Sequence, residues 1–453
     1  MMFPLHPHMK HSFVFSVTLI AGLAGGNLCA QRLQGHIAEA AGGLQVVLSV
    51  ARGNDFRPVD SVRTDDAGDF SFPEDFKAAG FYRLALNDTD RMDLILDGRE
   101  PVVDLSFDGI PLVDHVQVRT SDENKRLWEF KYISKETKAV RTAVAQQRLT
   151  LLPTDTAQLD LLNAVEQRAM HMEEQYVHQL VHNGNGGYFA KVLTVDDAIR
   201  GVRGNGPMAV AATCDFSDPE LMRSSVYDKA VMVFLQNLNV VIEDQFIVGA
   251  DTLMHLAERN PECRSYMLDH LIDLFSTYGP ETALQHLVDR YVVPDGDSGS
   301  VAPELRAKVK ALMQVSVGST APDVDLNDRG VITPLSKLVK ANTYTALFFY
   351  SSTCEHCHAQ MPMLKKDRAR FLAKGFRVIG IALDVDSVDF LKSIEENAIP
   401  WKCYSEFNGW GSKAAQAFMI KATPSFFLLD DKMRIVAKPV DAEELSRVLQ
   451  NRY

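Results

Sequence analysis

The hydrophobic repeat of this 453-residue chain changes twice, and each change restricts the folds open to the residues on either side. From Gly35 to about Val118 apolar residues alternate: Leu44, Val46, Leu48 and Val50 share one face, as do Tyr82, Leu84 and Leu86. Alternation marks half-buried strands, because successive strand side chains point to opposite sides. Turn residues such as Asp65-Asp66-Ala67-Gly68 separate the runs, and apolar stretches follow at Leu94–Leu96, Val102–Phe107 and Val113–Val118. Residues 31–118 are therefore expected to form an antiparallel β-sandwich-like domain of six or seven strands. It carries no cluster of titratable side chains, which suits a folding or docking module.

At Ser121, a candidate N-cap, the period becomes helical, and residues 119–316 are expected to be an all-α region. Tyr227, Val231, Phe234, Leu235, Leu238, Val241 and Ile242 keep to one helical face. Asn260-Pro261 and Tyr278-Gly279-Pro280 break successive helices, Pro294–Ser300 reads as an exposed loop, and Pro303–Met313 as a further helix. His171, Glu174, His178 and His182 fall on one stripe that could hold a divalent metal. Met172, Tyr176 and Leu180 lie opposite, so the stripe is read as a solvated face. Gly201–Pro207 is glycine-rich without the Lys-Ser/Thr of a phosphate loop, and is read as a flexible connection.

The third segment, 317–453, alternates strand and helix. Ala346–Tyr350 and Val378–Leu383 are nearly continuous apolar runs, each followed by a helical stretch, and Ser425–Leu429 with Arg434–Ala437 read as a terminal hairpin. Such runs belong to strands covered on both faces, so an α/β domain is expected.

Residues 12–28 are uncharged and apolar, follow Lys10, and lead to Leu28-Cys29-Ala30-Gln31. Residues 1–30 thus read as a secretory signal peptide cut after Ala30, with an uncleaved membrane anchor as the alternative. The remainder is expected to be periplasmic or otherwise extracytoplasmic, where disulfide chemistry is permitted. A net charge of −12 argues against a nucleic-acid partner, which needs a basic footprint. Six cysteines are too few for a disulfide-stapled scaffold, so their positions carry the information.

Two of them stand in Cys354-Glu355-His356-Cys357, directly after the run Ala346–Tyr350 and at the start of a helical stretch through Leu364 and Phe371. Two intervening residues at a helix start bring the sulfurs within bonding reach. The unpaired N–H groups and the helix dipole favour a thiolate on Cys354, the attacking sulfur. Cys357, one turn in, is the more buried resolving partner. A structural zinc site would want four ligands; His356 and His358 flank the pair, but no second such motif exists, leaving copper or zinc handling as the weaker reading. A peroxidase would need Pro at Leu347. Of the remaining thiols, Cys403 and Cys263 read as small core residues, and a Cys214 to Cys263 disulfide is an alternative for that pair.

These motifs resemble the thioredoxin superfamily, in particular its secreted ResA/TlpA-like (AhpC/TSA-type) branch. The resemblance rests on Gly318-Ser319-Thr320-Ala321-Pro322-Asp323, on Phe348 through Cys357, on Met361-Pro362, and on Ala422-Thr423-Pro424-Ser425-Phe426-Phe427-Leu428-Leu429-Asp430. It implies a thioredoxin-like fold, a cis Pro424 against the cysteine pair, and substrate contact by Thr423. The preceding segments look like the β-rich and helical modules found before such domains in some secreted bacterial proteins.

The resemblance further implies a thiol-disulfide oxidoreductase whose Cys354/Cys357 disulfide is redox-active, which reduces protein disulfides and is recharged by a membrane or periplasmic electron donor. No cofactor or resident metal is expected. Disulfide oxidation or isomerisation is the alternative of different direction, and a non-catalytic docking or metal-handling role the alternative of different class. Three positions depart from the pattern. Thr353 replaces the usual Trp, and the two acids that relatives use as proton acceptors correspond to Phe348 and Gln360, neither of which titrates. Glu355, His356, His358 or water would have to substitute, with His356 the favoured group. An imidazolium there would also stabilise the reduced form, moving the couple from about −270 mV towards about −120 mV.

Overall fold

The structure, a computed structural model, describes residues 31–38, 42–73, 76, 78–183, 186–238, 244–294, 301–328 and 330–453. The expected signal peptide, Val241 and Ile242, and Asp295–Ser300 lie outside the described residues.

The front module is built from β1 (Arg32–Ile37), β2 (Gln45–Arg52), β3 (Asp55–Arg63), β4 (Asp69–Ser71), β5 (Gly80–Ala85), β6 (Arg91–Leu96), β7 (Val102–Phe107), α1 (Leu112–His115) and β8 (Val116–Val118). They form two sheets, β4-β1-β7-β8 and β3-β2-β5-β6. Their inner faces share one core that includes Leu33, Val46, Leu48, Tyr82, Leu84, Leu94, Val103 and Leu105. Three expectations are corrected. Among the described residues the module has eight strands, and β1 and β7 pair in parallel, so the sandwich is mixed. The stretch Val113–Val118 divides, its first part closing as the single turn α1.

The helical region comprises α2 (Asp122–Arg148), α3 (Thr156–Asn183), α4 (Tyr188–Gly201), α5 (Pro207–Thr213), α6 (Pro219–Met222), α7 (Ser225–Gln236), α8 (Asp244–Leu256), α9 (Pro261–Tyr278), α10 (Glu281–Leu287) and α11 (Pro303–Met313). Ser121 caps α2 by accepting from Asn124 N at 3.1 Å. Asn124, fully buried, accepts from Ile95 N at 2.8 Å and donates to Ile95 O at 2.7 Å. It thereby pairs backbone groups on the free side of β6, an edge that would otherwise go unsatisfied. The β2–β3 turn docks in a similar way. Asp228, buried on α7, accepts from Asn54 N at 2.9 Å and from Tyr266 Oη at 2.8 Å. Gly53 has φ +59°, and a Cβ there would stand 1.9 Å from Tyr266 Oη, so only glycine fits.

Two readings of this region are settled by packing. The Gly201–Pro207 connection is pinned, since Asn237 donates to Val202 O and Gly206 O and accepts from Gly204 N. His171, Glu174, His178 and His182 are exposed, but Met172 on the supposed apolar face is 57% exposed too.

The last module begins with the hairpin β9 (Asp325–Asp328) and β10 (Val331–Pro334), then α12 (Leu335–Val339), β11 (Tyr344–Tyr350), α13 (Glu355–Phe371), β12 (Phe376–Ala382) and α14 (Ser387–Glu396). It ends with β13 (Lys402–Ser405), α15 (Lys413–Ala417), β14 (Ser425–Asp430), β15 (Ile435–Ala437) and α16 (Ala442–Arg452). The sheet order is β13-β12-β11-β14-β15, with β11, β12 and β13 parallel and β14 and β15 antiparallel. Ala346, Phe348 and Tyr350 face the core shared with α13 and α16, whereas Leu347 and Phe349 face the opposite one. That two-sided burial is why β11 reads as an unbroken apolar run.

A chain of ion pairs crosses all three modules. Arg57 of β3 lies 3.7 Å from Asp269, Lys308 lies 2.6 Å from Asp269 and also binds Asp273, and Asp273 binds Lys421 just before β14. Lys438 reaches Glu281 at 3.1 Å, beside the same junction. Among the described residues no helix is long and apolar enough to cross a membrane.

Candidate functional site

The end of β11 delivers the chain to the carboxyl edge of the sheet, where Ser351-Ser352-Thr353 turns it into α13. A buried acid fixes that turn. Asp384, just beyond β12, accepts through Oδ1 from Ser352 N at 2.8 Å, Ser352 Oγ at 2.8 Å and Ser351 Oγ at 3.1 Å. Cys354 then occupies the N-cap of α13, and its Sγ accepts from Cys357 N at 3.2 Å. A sulfur so placed takes one of the orphan donors of a helix start and lies on its positive end.

The two thiols differ in the way the helix start requires. Cys354 is partly exposed and Cys357 is fully buried. Burial pushes the Cys357 thiol up to about 12, with the neighbouring Cys354 adding to the shift. The main chain of Ser351 and the Thr423 hydroxyl hydrogen-bond its sulfur and oppose that shift without cancelling it. Thr423 touches both cysteines, because its carbonyl also accepts from Cys354 Sγ at 3.7 Å. The Thr423-Pro424 bond is cis. Cys354, Cys357, Thr423 and Pro424 are thus brought to one place by β11, α13 and β14.

Glu355 and His356 are carried by the same turn but are exposed. The position of Gln360 has a structural use: its Oε1 accepts from Ala442 N at 2.8 Å, joining α13 to α16. Phe348 is fully buried, stacked between Tyr350 and Phe426 at 5.1 Å from each. Among the described residues no group of three or more His, Cys, Asp or Glu could hold a metal ion.

Sequence reasoning missed Asp384. The signal that could have found it is an acid directly after the apolar run of β12, at the strand end where α/β sheets place their ligands. Cys403, read from the sequence as a small core residue, is a partly buried free thiol packed against the core that contains Cys357. Cys403 of β13 packs beside Tyr350 and Trp401 over Gly380, where a Cβ would stand 2.7 Å from Cys403 Sγ. Burial raises Cys403 to about 11 and drives the Tyr350 phenol well above its ordinary value. Cys214 and Cys263 are free, buried thiols in the helical core, each pushed up to about 12 chiefly by burial.

Residues 317–438 match the AhpC/TSA family. The solved structures similar to this chain include the thioredoxin domain of a thiol-disulfide oxidoreductase from Bacteroides vulgatus, at 25% identity, 30% of this chain, 97% of that one and a TM-score of 0.28. A thiol-disulfide oxidoreductase from Bacteroides fragilis matches at 26% identity over 30% of this chain and 100% of its own, with a TM-score of 0.28. A thioredoxin-like protein from Bacteroides caccae matches at 15% identity over 55% of this chain and 94% of its own, with a TM-score of 0.39. Comparison with curated proteins finds no match.

Proposed function

We propose that this chain, whose C-terminal module is a thioredoxin-superfamily domain of the AhpC/TSA type, works outside the cytoplasm as a thiol-disulfide oxidoreductase that reduces protein disulfides. The observation that carries the reading is the asymmetric pair at the start of α13, an accessible capping thiol and a buried high-pKa thiol, both touched by Thr423. Cys354 attacks one sulfur of a substrate disulfide, forming a mixed disulfide and releasing the first substrate thiolate. Cys357 then loses its proton and attacks the Cys354 sulfur, so the mixed disulfide breaks and the second substrate thiolate leaves. Two electrons pass to the substrate, and Cys354–Cys357 is left oxidised. A dithiol donor at the membrane or in the periplasm must return those electrons each cycle.

Thr423 aligns the reacting sulfurs, and its position beside Pro424 suits pairing with an extended substrate chain. Glu355 and His356 rim the entrance as exposed polar groups rather than as proton acceptors. The extracytoplasmic address rests on the sequence of residues 1–30. The reading is tested by incubating Cys357→Ser protein with a disulfide-bearing protein: a mixed disulfide through Cys354 should accumulate, and Cys354→Ser should trap none. Equal trapping by both variants, or by neither, overturns it.

A further inference from the structure

The hairpin of α2 and α3 leaves a row of apolar side chains outside its own core. On α3 these are Leu161, Val165 and Met172, whose spacing of i, i+4 and i+11 puts them on one stripe. On α2 the stripe is Tyr132, Ala139 and Ala143, at i, i+7 and i+11, and both alanines are exposed. The four large side chains are between 44% and 67% exposed. The two stripes open to the same side of the hairpin. Tyr176, one turn beyond Met172, donates to Glu129 Oε2, one turn before Tyr132, at 2.7 Å. Single exposed apolar residues are ordinary, but a continuous patch of them marks a contact surface.

Two properties of the hairpin say what fits this face. The first is charge. From Lys131 on, α2 carries five cations against Glu136, a net +4, while α3 carries four acids against Arg168, a net −3 with histidine neutral. A second copy laid on the face with α2 over α2 would set like charge against like. Turned so that α2 lies over the other copy's α3, it sets opposite charges together. The second property is area. From Tyr132 to the tip the face is about 30 Å long, and two helices make it about 20 Å wide. Covering it on both copies buries about 1,200 Å², the lower end of a stable specific interface. Four helices packed antiparallel around one apolar seam are also a recurrent stable unit. The front module leaves the approach open, because Lys131, through which α2 pairs with Asp93 of β6, stands about 140° round the helix from Glu136.

We infer that the chain pairs with a second copy of itself through this face, as a four-helix bundle in which each α2 lies against the other copy's α3. The twofold axis then runs along the hairpins and keeps residues at equal heights. Thr137 Oγ1 donates to Ala169 O at 3.3 Å, so their exposed neighbours Glu136 and Arg168 stand at one height. Glu136 of each copy meets Arg168 of the other, and Met172 packs beside Tyr132. The pairing is independent of the thiol chemistry proposed above.

The test is the mass in solution of protein from residue 31 on, the form that the expected cleavage leaves. It is read by size-exclusion chromatography with light scattering over about 1 to 100 µM, the range in which an interface of this size associates. Wild type should reach twice the chain mass at the upper end and fall towards the chain mass on dilution. Met172→Glu puts a charge on the covered face and should give the chain mass throughout, with unchanged circular dichroism. Leu161→Glu repeats the test at a second position. Glu136→Lys and Arg168→Glu should each raise the dissociation constant about 10-fold, the scale of two screened ion pairs lost per dimer, and the double variant should recover it. A wild type that stays at the chain mass overturns the inference. So does a dimer that survives both Met172→Glu and Leu161→Glu, or a double variant no better than its parents.

Discussion

Asp273 is the point at which the helical module grips the segment leading to Thr423. It binds Lys308 within its own module and Lys421 two residues before Thr423. Burial raises the carboxyl, but the bonds from Lys308 and Lys421 outweigh it and leave the value below the ordinary range. Asp273→Asn removes the charge at constant size. The side chains of Asp273, Lys308 and Lys421 are 39%, 23% and 36% exposed, so each pair is credited only with the solvent-screened value of about 0.5 to 1 kcal/mol. Loss of both gives about 1 to 2 kcal/mol, which multiplies the open population by about 5 to 30.

The assay is backbone hydrogen exchange of the full chain, read in peptides covering residues 418–425. Faster exchange should be confined to that segment and to the α9 and α11 surfaces that face it, and added salt should shrink the difference. The pH dependence has a definite sign. A carboxyl whose folded value is depressed stabilises the folded state above its unfolded value of about 3.9. That contribution is lost as pH falls through the folded value, so wild type should approach the variant only in acid. Unchanged exchange at 418–425, or a uniform rise along the chain, refutes the grip.

Two further outcomes follow from the thiols. Cys354→Ala should lower the stability of the reduced protein by about 1 kcal/mol in thermal melts, whereas Cys354→Ser, which can still cap α13, should not. In Cys354→Ser protein lacking residues 1–30, alkylation of the native thiols should stay slow to about pH 10, because burial holds Cys214 and Cys263 near about 12 and Cys403 near about 11 and raises Cys357 as well. The unfolded thiols titrate near about 8.5. The folded state therefore keeps protons that the unfolded state loses, and stability present below that pH should fall steadily as pH rises towards 12.

What was legible in the sequence was local. Ser121 announces α2, Asn260 caps α9 through Glu262 N and Cys263 N, and Pro303 opens α11, each within a single turn. Cys354 and Cys357 were legible because their chemistry depends on a helix start three residues long. Contacts between distant residues were not. Asp384 meets Ser352 across 32 positions and Lys421 meets Asp273 across 148, and no periodicity encodes either. The strand β13 is only four residues long and follows Pro400-Trp401, too short for an alternation to register. The parallel pairing of β1 with β7 is likewise set by the fold of the whole module, since alternation fixes a buried face and not a strand direction.

The central claim, a working dithiol, is tested most directly by the reduction potential of Cys354/Cys357. The full chain is equilibrated in dithiothreitol and glutathione buffers, and free thiols are counted with a mass-tagging alkylator. One reversible two-electron couple is expected, near the thioredoxin value of about −270 mV for a reductase and absent from Cys354→Ser. A value near about −120 mV would reverse the direction of electron flow. No reversible couple at these two cysteines would contradict the account outright.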